Sequence, residues 1–72
     1  MKVILNGKET NMETGTTIES LIASRKINPA TVVVELNRNI IEPEKWGSFV
    51  ISEKDEIEVL TFMGGGASGR SI

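Results

Sequence analysis

Three consecutive glycines, Gly64 to Gly66, lie near the end of this 72-residue chain and limit where a core can form. Glycine loses more backbone freedom on folding than any other residue, so a run of glycines is costly to fix in place. The strand-forming run Leu60–Met63 stops at these glycines. We therefore predict a folded domain over residues 1–63 and a flexible tail over residues 64–72.

The composition argues against several classes of function. The chain has no cysteine and no histidine, so it lacks a thiol nucleophile, a thiolate metal site and the side chain most often used for acid–base catalysis near neutral pH. We therefore expect that the protein is not an enzyme and holds no metal. The net charge is −2 and no basic run is present, so a nucleic acid partner is not expected.

Membrane and export signals are also missing from the pattern. The N-terminal residues Met1–Asn6 do not contain the apolar stretch of a signal peptide, and no apolar run approaches the length of a membrane span. We expect a cytoplasmic monomer.

The first third of the chain predicts a hairpin and a helix. Asn6-Gly7 is a strong hairpin signal between a buried strand and a weakly apolar return strand over residues 8–13, which we place at a sheet edge. Thr16 and Glu19 match a capping box, and Ile18, Leu21 and Ile22 form one apolar helical stripe. The helix should end at Asn28-Pro29.

The remaining segments predict strands. Thr31–Asn37 is rich in β-branched residues and suits a central strand, followed by a short return strand at Ile40-Ile41. A helical turn is expected at Pro43–Trp46, with Trp46 at the rim of the core. In the last strand, residues 57–63, Ile57 and Val59 share one face while Leu60 and Phe62 share the other.

These elements predict an α+β domain in which one helix covers one face of a mixed sheet of about four or five strands. The first and last strands would be parallel neighbours. No second helix covers the other face, so Leu60, Phe62 and Met63 are either core residues or, exposed together, a partner-docking face. The acidic residues around the last turn fit a solvated surface that could steer a basic partner.

Several motifs together resemble a known family. They are the Asn6-Gly7 hairpin, the helix start Gly15-Thr16-Thr17, the segment Val34–Trp46, and a last strand that leads into Gly65-Gly66. In this combination the chain resembles the ThiS family, the ubiquitin-like sulfur carriers of thiamine biosynthesis. The resemblance covers residues 1–66.

The resemblance implies a β-grasp (ubiquitin-like) fold and a function at the C-terminus. It implies that an activating enzyme related to ubiquitin-activating enzymes uses ATP to adenylate the carboxylate of Gly66, with Gly64 and Gly65 forming the rest of the tail motif. Sulfur then replaces AMP to give a thiocarboxylate, and a thiazole synthase takes that sulfur. The carrier needs no cofactor of its own, since ATP binds to the partner.

One feature departs from the family pattern, because Ala67–Ile72 follow Gly66. These residues are either foreign to the natural chain or a native extension that a protease removes. A native extension would favour a related carrier for cysteine or homocysteine synthesis, and a carrier for molybdopterin is a further alternative. A binding-only ubiquitin-like module with incidental glycines is the alternative from a different class.

Overall fold

A computed structural model describes residues 1–62 and 69–71 of the chain. The described strands are β1 (Lys2–Leu5), β2 (Lys8–Asn11), β3 (Val32–Leu36), β4 (Asn39–Ile41), β5 (Glu56–Phe62) and β6 (Gly69–Ser71). Helix α1 spans Ile18–Ser24, and 3-10 helices span Pro29–Thr31 and Pro43–Ser48. None of the described helices is both long and apolar enough to span a bilayer.

The sheet has the strand order β2-β1-β5-β3-β4, with β6 added to the far end of β5. Strands β1 and β5 are parallel, in the register Ile4 to Glu56 and Leu5 to Ile57, and the other pairs are antiparallel. Helix α1 packs on one face of this sheet. The predicted α+β architecture, a β-grasp in which β1 and β5 are parallel neighbours, is confirmed.

The two tight hairpins have left-handed backbone at both of their central residues. Asn6 and Gly7 have φ of 50° and 83°, and Asn37 and Arg38 have φ of 51° and 73°. Positive φ at both central residues matches the right-handed twist of the flanking strands. The second strand ends at Asn11 rather than at residue 13, and it lies at the sheet edge as expected.

The helix begins one residue later than predicted. Thr17, not Thr16, is the N-cap: its Oγ1 accepts from the Ser20 amide at 3.0 Å, and Ser20 Oγ accepts from the Thr17 amide at 2.9 Å. Thr16 is engaged elsewhere, because its carbonyl accepts from the Ile51 amide and its hydroxyl donates to the Glu13 carbonyl. Tertiary pairing therefore shifted the capping box from the Thr16–Glu19 pair to Thr17 and Ser20.

The helix also ends earlier than Asn28-Pro29. Lys26 has a φ of 57°, its amide donates to the Ala23 carbonyl at 3.1 Å, and the Ile27 amide donates to the Ile22 carbonyl at 3.2 Å. This pair of bonds around a left-handed residue is a Schellman motif, in which the last helical carbonyls find donors. The helix stops there without needing the proline.

The core is aliphatic and lies between α1 and the sheet. The predicted helical stripe and the inward residues of the strands are buried. Trp46 was predicted at the rim, but it is 3% exposed, and its Nε1 donates to the Ile41 carbonyl at 2.8 Å. The indole is buried because this bond satisfies its polar atom while the ring packs against the core.

A short strand lies inside the predicted tail of residues 64–72. Gly69–Ser71 form β6, which pairs with Phe62, Thr61 and Leu60. Strand β5 extends past the end of β1, so its far half offers an edge to a further strand. The intervening residues 63–68, which include all three predicted tail glycines and the end of the predicted domain at residue 63, lie outside the described residues.

Candidate functional site

Strand β5 is the element that leads to the glycine motif, and it is held firmly in the middle of the sheet. Its inward residues Ile57 and Val59 are 1% and 2% exposed. On one side it pairs with β3 over residues 57–61, and on the other with β1 at residues 56 and 57. The chain therefore enters the segment that carries Gly64 to Gly66 from a rigid strand.

A short polar network fixes the start of β5. Asn37 Oδ1 accepts from the Glu56 amide at 2.9 Å, and Asn37 Nδ2 donates to Asp55 Oδ1 at 3.0 Å. Asp55 Oδ2 accepts in turn from the Ser52 amide at 2.8 Å. The hairpin turn after β3 therefore fixes the position of the beginning of β5.

A second asparagine extends the pairing between β1 and β5. The Asn6 amide donates to the Ile57 carbonyl at 2.9 Å, and Asn6 Oδ1 accepts from the Val59 amide at 2.8 Å. The side chain thus continues the parallel ladder where the backbone of β1 has already turned away. From the sequence, Asn6 was identified only as a turn residue and Asn37 only as the end of a strand, since nothing local indicates a contact with β5.

The sheet face opposite α1, which we call the outer face, is partly apolar. Val33 and Leu60 are cross-strand partners and both are half-buried. Ile40 is 66% exposed, and Ile4 is half-buried on the adjoining part of this face. Exposed apolar side chains clustered on one face are typical of a partner-binding surface.

Carboxylates lie beside these apolar side chains on the outer face. Glu35 is the cross-strand partner of Glu58, and Glu56 is the partner of Ile4. Like charges directly opposite each other destabilise a strand pair, so folding gives no reason for the pairing of Glu35 with Glu58. A basic partner surface would relieve the repulsion.

The structure places only part of the predicted site. Leu60 lies half-buried on the outer face, and Phe62 is the last residue of β5. Met63, Gly64, Gly65 and Gly66 fall outside the described residues. Of the predicted docking residues, the structure therefore locates Leu60. It places Ile4, Val33 and Ile40, which the sequence analysis did not select, on the same outer face.

The described residues include an apolar recess but no metal-binding cluster. They contain no group of three or more acidic, histidine or cysteine side chains arranged to hold a metal ion. An open recess of about 280 Å³ between α1 and the second 3-10 helix is lined mainly by apolar residues, and Glu19 is the one titratable residue in its lining.

Sequence comparison finds relatives over nearly the whole chain. The model of the ThiS family matches residues 3–66. The chain is 38% identical over 63 residues to the sulfur carrier protein ThiS of Bacillus subtilis, covering 86% of this chain and 96% of that protein. It is 42% identical over 66 residues to a thiazole synthase of Magnetococcus marinus, covering 92% of this chain. The chain spans only 20% of the length of that synthase.

Structural comparison agrees. The crystal structure of the thiamine biosynthesis protein ThiS from Geobacter metallireducens superposes with a TM-score of 0.80 at 30% sequence identity. The match covers 92% of this chain and 100% of that one.

Proposed function

The chain belongs to the ThiS family, and from this premise we propose that it is a sulfur carrier whose Gly66 carboxylate is adenylated and converted to a thiocarboxylate for thiazole synthesis in thiamine biosynthesis. Adenylation turns a poor electrophile into an acyl-AMP with a good leaving group. A sulfur nucleophile then displaces AMP, and the product carries sulfur tethered to the carrier. In this scheme the protein is a substrate of its partners and not a catalyst.

The observation that carries the proposal is the placement of β5. This strand is buried on its inner face, paired on both sides, and followed directly in the chain by Met63 and the three glycines. The family match ends at Gly66, which supports assigning the reactive carboxyl to that residue. Glycines without Cβ atoms suit a segment that must enter a narrow active site.

We propose that the outer face docks the activating enzyme. Its apolar part consists of Ile4, Val33, Ile40 and Leu60, to which the predicted Phe62 and Met63 would add. Fully burying an exposed aliphatic side chain contributes about 1.5–3 kcal/mol. Ile40, which is 66% exposed, would supply most of that amount, and the half-buried Ile4, Val33 and Leu60 would each add less. This burial would help to offset the ordering of a few tail residues at about 1–2 kcal/mol each. The carboxylates of Glu35 and Glu58 would steer a basic groove toward this face.

Two partners follow from the proposal. The first is an adenylating enzyme related to ubiquitin-activating enzymes, which binds the ATP. The second is a thiazole synthase. Two thiazole synthases, from Magnetococcus marinus and Paramagnetospirillum magneticum, contain a segment similar to this chain that makes up 20% and 21% of their length, and this supports the second partnership.

The residues after Gly66 require one further step. With Ala67–Ile72 attached, Gly66 has no free carboxylate, so we propose that a protease removes this extension. The extension also favours one alternative, a masked carrier for cysteine or homocysteine synthesis. Such a carrier would share the fold and the glycines, and its terminal glycine would be covered in the same way before cleavage. Supplying the thiocarboxylate form to a thiazole synthase distinguishes the two pathways: thiazole product supports thiamine synthesis.

Intact mass spectrometry tests the carrier chemistry. A chain that ends at Gly66 is incubated with the adenylating enzyme, ATP and sulfide, and should gain the mass difference between sulfur and oxygen. The full chain, in which the Gly66 carboxyl is held in a peptide bond to Ala67, and a reaction without ATP are the matched controls, and neither should gain mass. An unchanged chain, under conditions in which the Bacillus subtilis carrier is converted by the same enzyme, would favour the binding-only module.

A further inference from the structure

The edge of β5 that faces β1 is covered by two different segments. Strand β1 pairs with residues 56 and 57, and the Asn6 side chain caps the Val59 amide. From Leu60 to Phe62 the same stretch of strand pairs instead with β6. The Asn6 side chain therefore lies at the point on β5 where pairing with β1 ends and pairing with β6 begins.

We propose that the edge of β5 at residues 60–62 is a strand-addition site for the activating enzyme, and that β6 is a tethered competitor that fills this site in the uncut chain. After residues 67–72 are removed, an extended segment of the enzyme would pair with the vacated edge. The part of this inference that concerns the enzyme, the partner half, rests on the proposed function. The part that concerns coverage of the edge by β6 is the competitor half. The site lies directly before Met63 and the glycines, so a strand added there would hold the terminus beside the enzyme's active site.

The structure of the extension explains why β6 would be displaceable. It pairs over three residues, and its sequence Gly-Arg-Ser has none of the β-branched or aromatic residues that favour strands. Its advantage is the short tether, which gives an effective concentration of about millimolar. Cutting the chain after Gly66 removes that advantage. Strand addition to an exposed sheet edge is a common way of binding an extended peptide.

The strand geometry supplies a specific reporter for the edge. The Val59 amide points toward Asn6, and because successive strand amides alternate in direction, the Thr61 amide points toward the same edge, where Arg70 is its partner residue. The Leu60 amide points the other way, toward its partner Val33 on β3. Leu60 is therefore an internal control on the same strand.

The competitor half is tested by amide hydrogen exchange in the full chain, two variants and a chain that ends at Gly66. That shorter chain retains the core, since the described buried hydrophobic residues lie between Val3 and Val59. Arg70→Pro disrupts β6, while Ile72→Pro lies beyond the strand and favours an extended Ser71. We expect Thr61 to exchange about tenfold or more faster in Arg70→Pro and in the shorter chain than in the other two.

The Leu60 amide should keep one exchange rate in all four proteins. If Thr61 exchanges at one rate in all four proteins, β6 does not cover the edge and the inference is overturned. This result does not depend on adenylation, so it stands whether or not the mass experiment finds a thiocarboxylate.

The partner half is tested by repeating the measurement on the chain that ends at Gly66 with saturating activating enzyme and no ATP. Renewed protection of Thr61 supports strand addition. Protection confined to other residues, with Thr61 still fast, overturns it. A chain that is converted to the thiocarboxylate but leaves Thr61 fast contradicts this inference alone, whereas a chain that neither binds nor reacts contradicts the proposed function as well.

Discussion

The two faces of β5 differ in what their residues contribute. On the inner face, Ile57 and Val59 are almost fully buried against the core. On the outer face, Glu58 opposes Glu35 and Leu60 opposes Val33, and no helix of residues 1–62 covers them. The inner face follows from the need to bury apolar surface, while the outer face keeps features that folding does not require. Under the proposed function, this one strand would serve stability on one side and recognition on the other.

Deleting the same side-chain atoms from the inner face and from the outer face of the sheet gives the sharpest contrast. Ile57→Ala should destabilise the domain by about 2–5 kcal/mol, because it opens a cavity in the core. Ile40→Ala, the same change at a side chain that is 66% exposed, should cost within about 0.5 kcal/mol. Urea unfolding followed by Trp46 fluorescence measures both. Equal losses at the two positions would contradict the assignment of the faces.

Loss of the hydrogen bond between the Asn6 side chain and the Val59 amide should have the next largest effect. Asn6→Ala removes the acceptor for the Val59 amide. It also places alanine, which has no polar side chain to stabilise left-handed backbone, at a φ of 50°. We expect a loss of about 1–3 kcal/mol in the free energy of unfolding. Asn6→Asp keeps both an acceptor oxygen and tolerance of left-handed backbone, so it should lose much less. An Asp variant as unstable as the Ala variant would show that the bond to Val59 is not the cause.

The apolar part of the outer face should matter for binding more than for folding. Ile40→Ser should weaken association with the adenylating enzyme by about tenfold. The control is Val50→Ser, because Val50 is similarly exposed, at 56%, but lies outside the outer face. Calorimetric titration compares them. If both substitutions weaken binding equally, or neither does, the outer face is not the docking surface.

The smallest expected effect concerns the opposed carboxylates. Glu35→Gln removes a like-charge pair with Glu58, so it should stabilise the domain by about 0.2–1 kcal/mol. It should also reduce the salt dependence of the association rate with the adenylating enzyme. Glu44→Gln, at an exposed residue of the second 3-10 helix, is the control. A destabilised Glu35→Gln variant would mean that the carboxylate has a structural role.

Much of the fold could be predicted because its signals are local. Asn6-Gly7 specifies a tight hairpin through backbone that both residues tolerate, and the spacing of Ile18, Leu21 and Ile22 specifies the buried side of a helix. The alternation along residues 57–60 likewise predicted that Ile57 and Val59 share one face of β5 and that Leu60 lies on the other. In each case the residues that carry the signal are close in sequence.

The features that the sequence did not reveal depend on distant contacts. The helix is capped by Thr17 and not by Thr16 because Thr16 pairs with Ile51. Asn37 accepts a hydrogen bond from the Glu56 amide across 19 positions of sequence. Strand β6 forms although Gly-Arg-Ser has weak strand propensity, since the far half of β5 offers an edge. The reactive residue, Gly66, remains a prediction because it rests on the family pattern and lies outside the described residues.

The central claim is that the reactive atom belongs to the main-chain carboxyl of Gly66. The direct measurement is to alkylate the sulfur-loaded chain that ends at Gly66 and to locate the adduct by fragmentation in a mass spectrometer. We expect one adduct, on the terminal glycine and dependent on ATP. An adduct on any side chain, or a loaded chain whose terminal glycine is unmodified, would contradict the account.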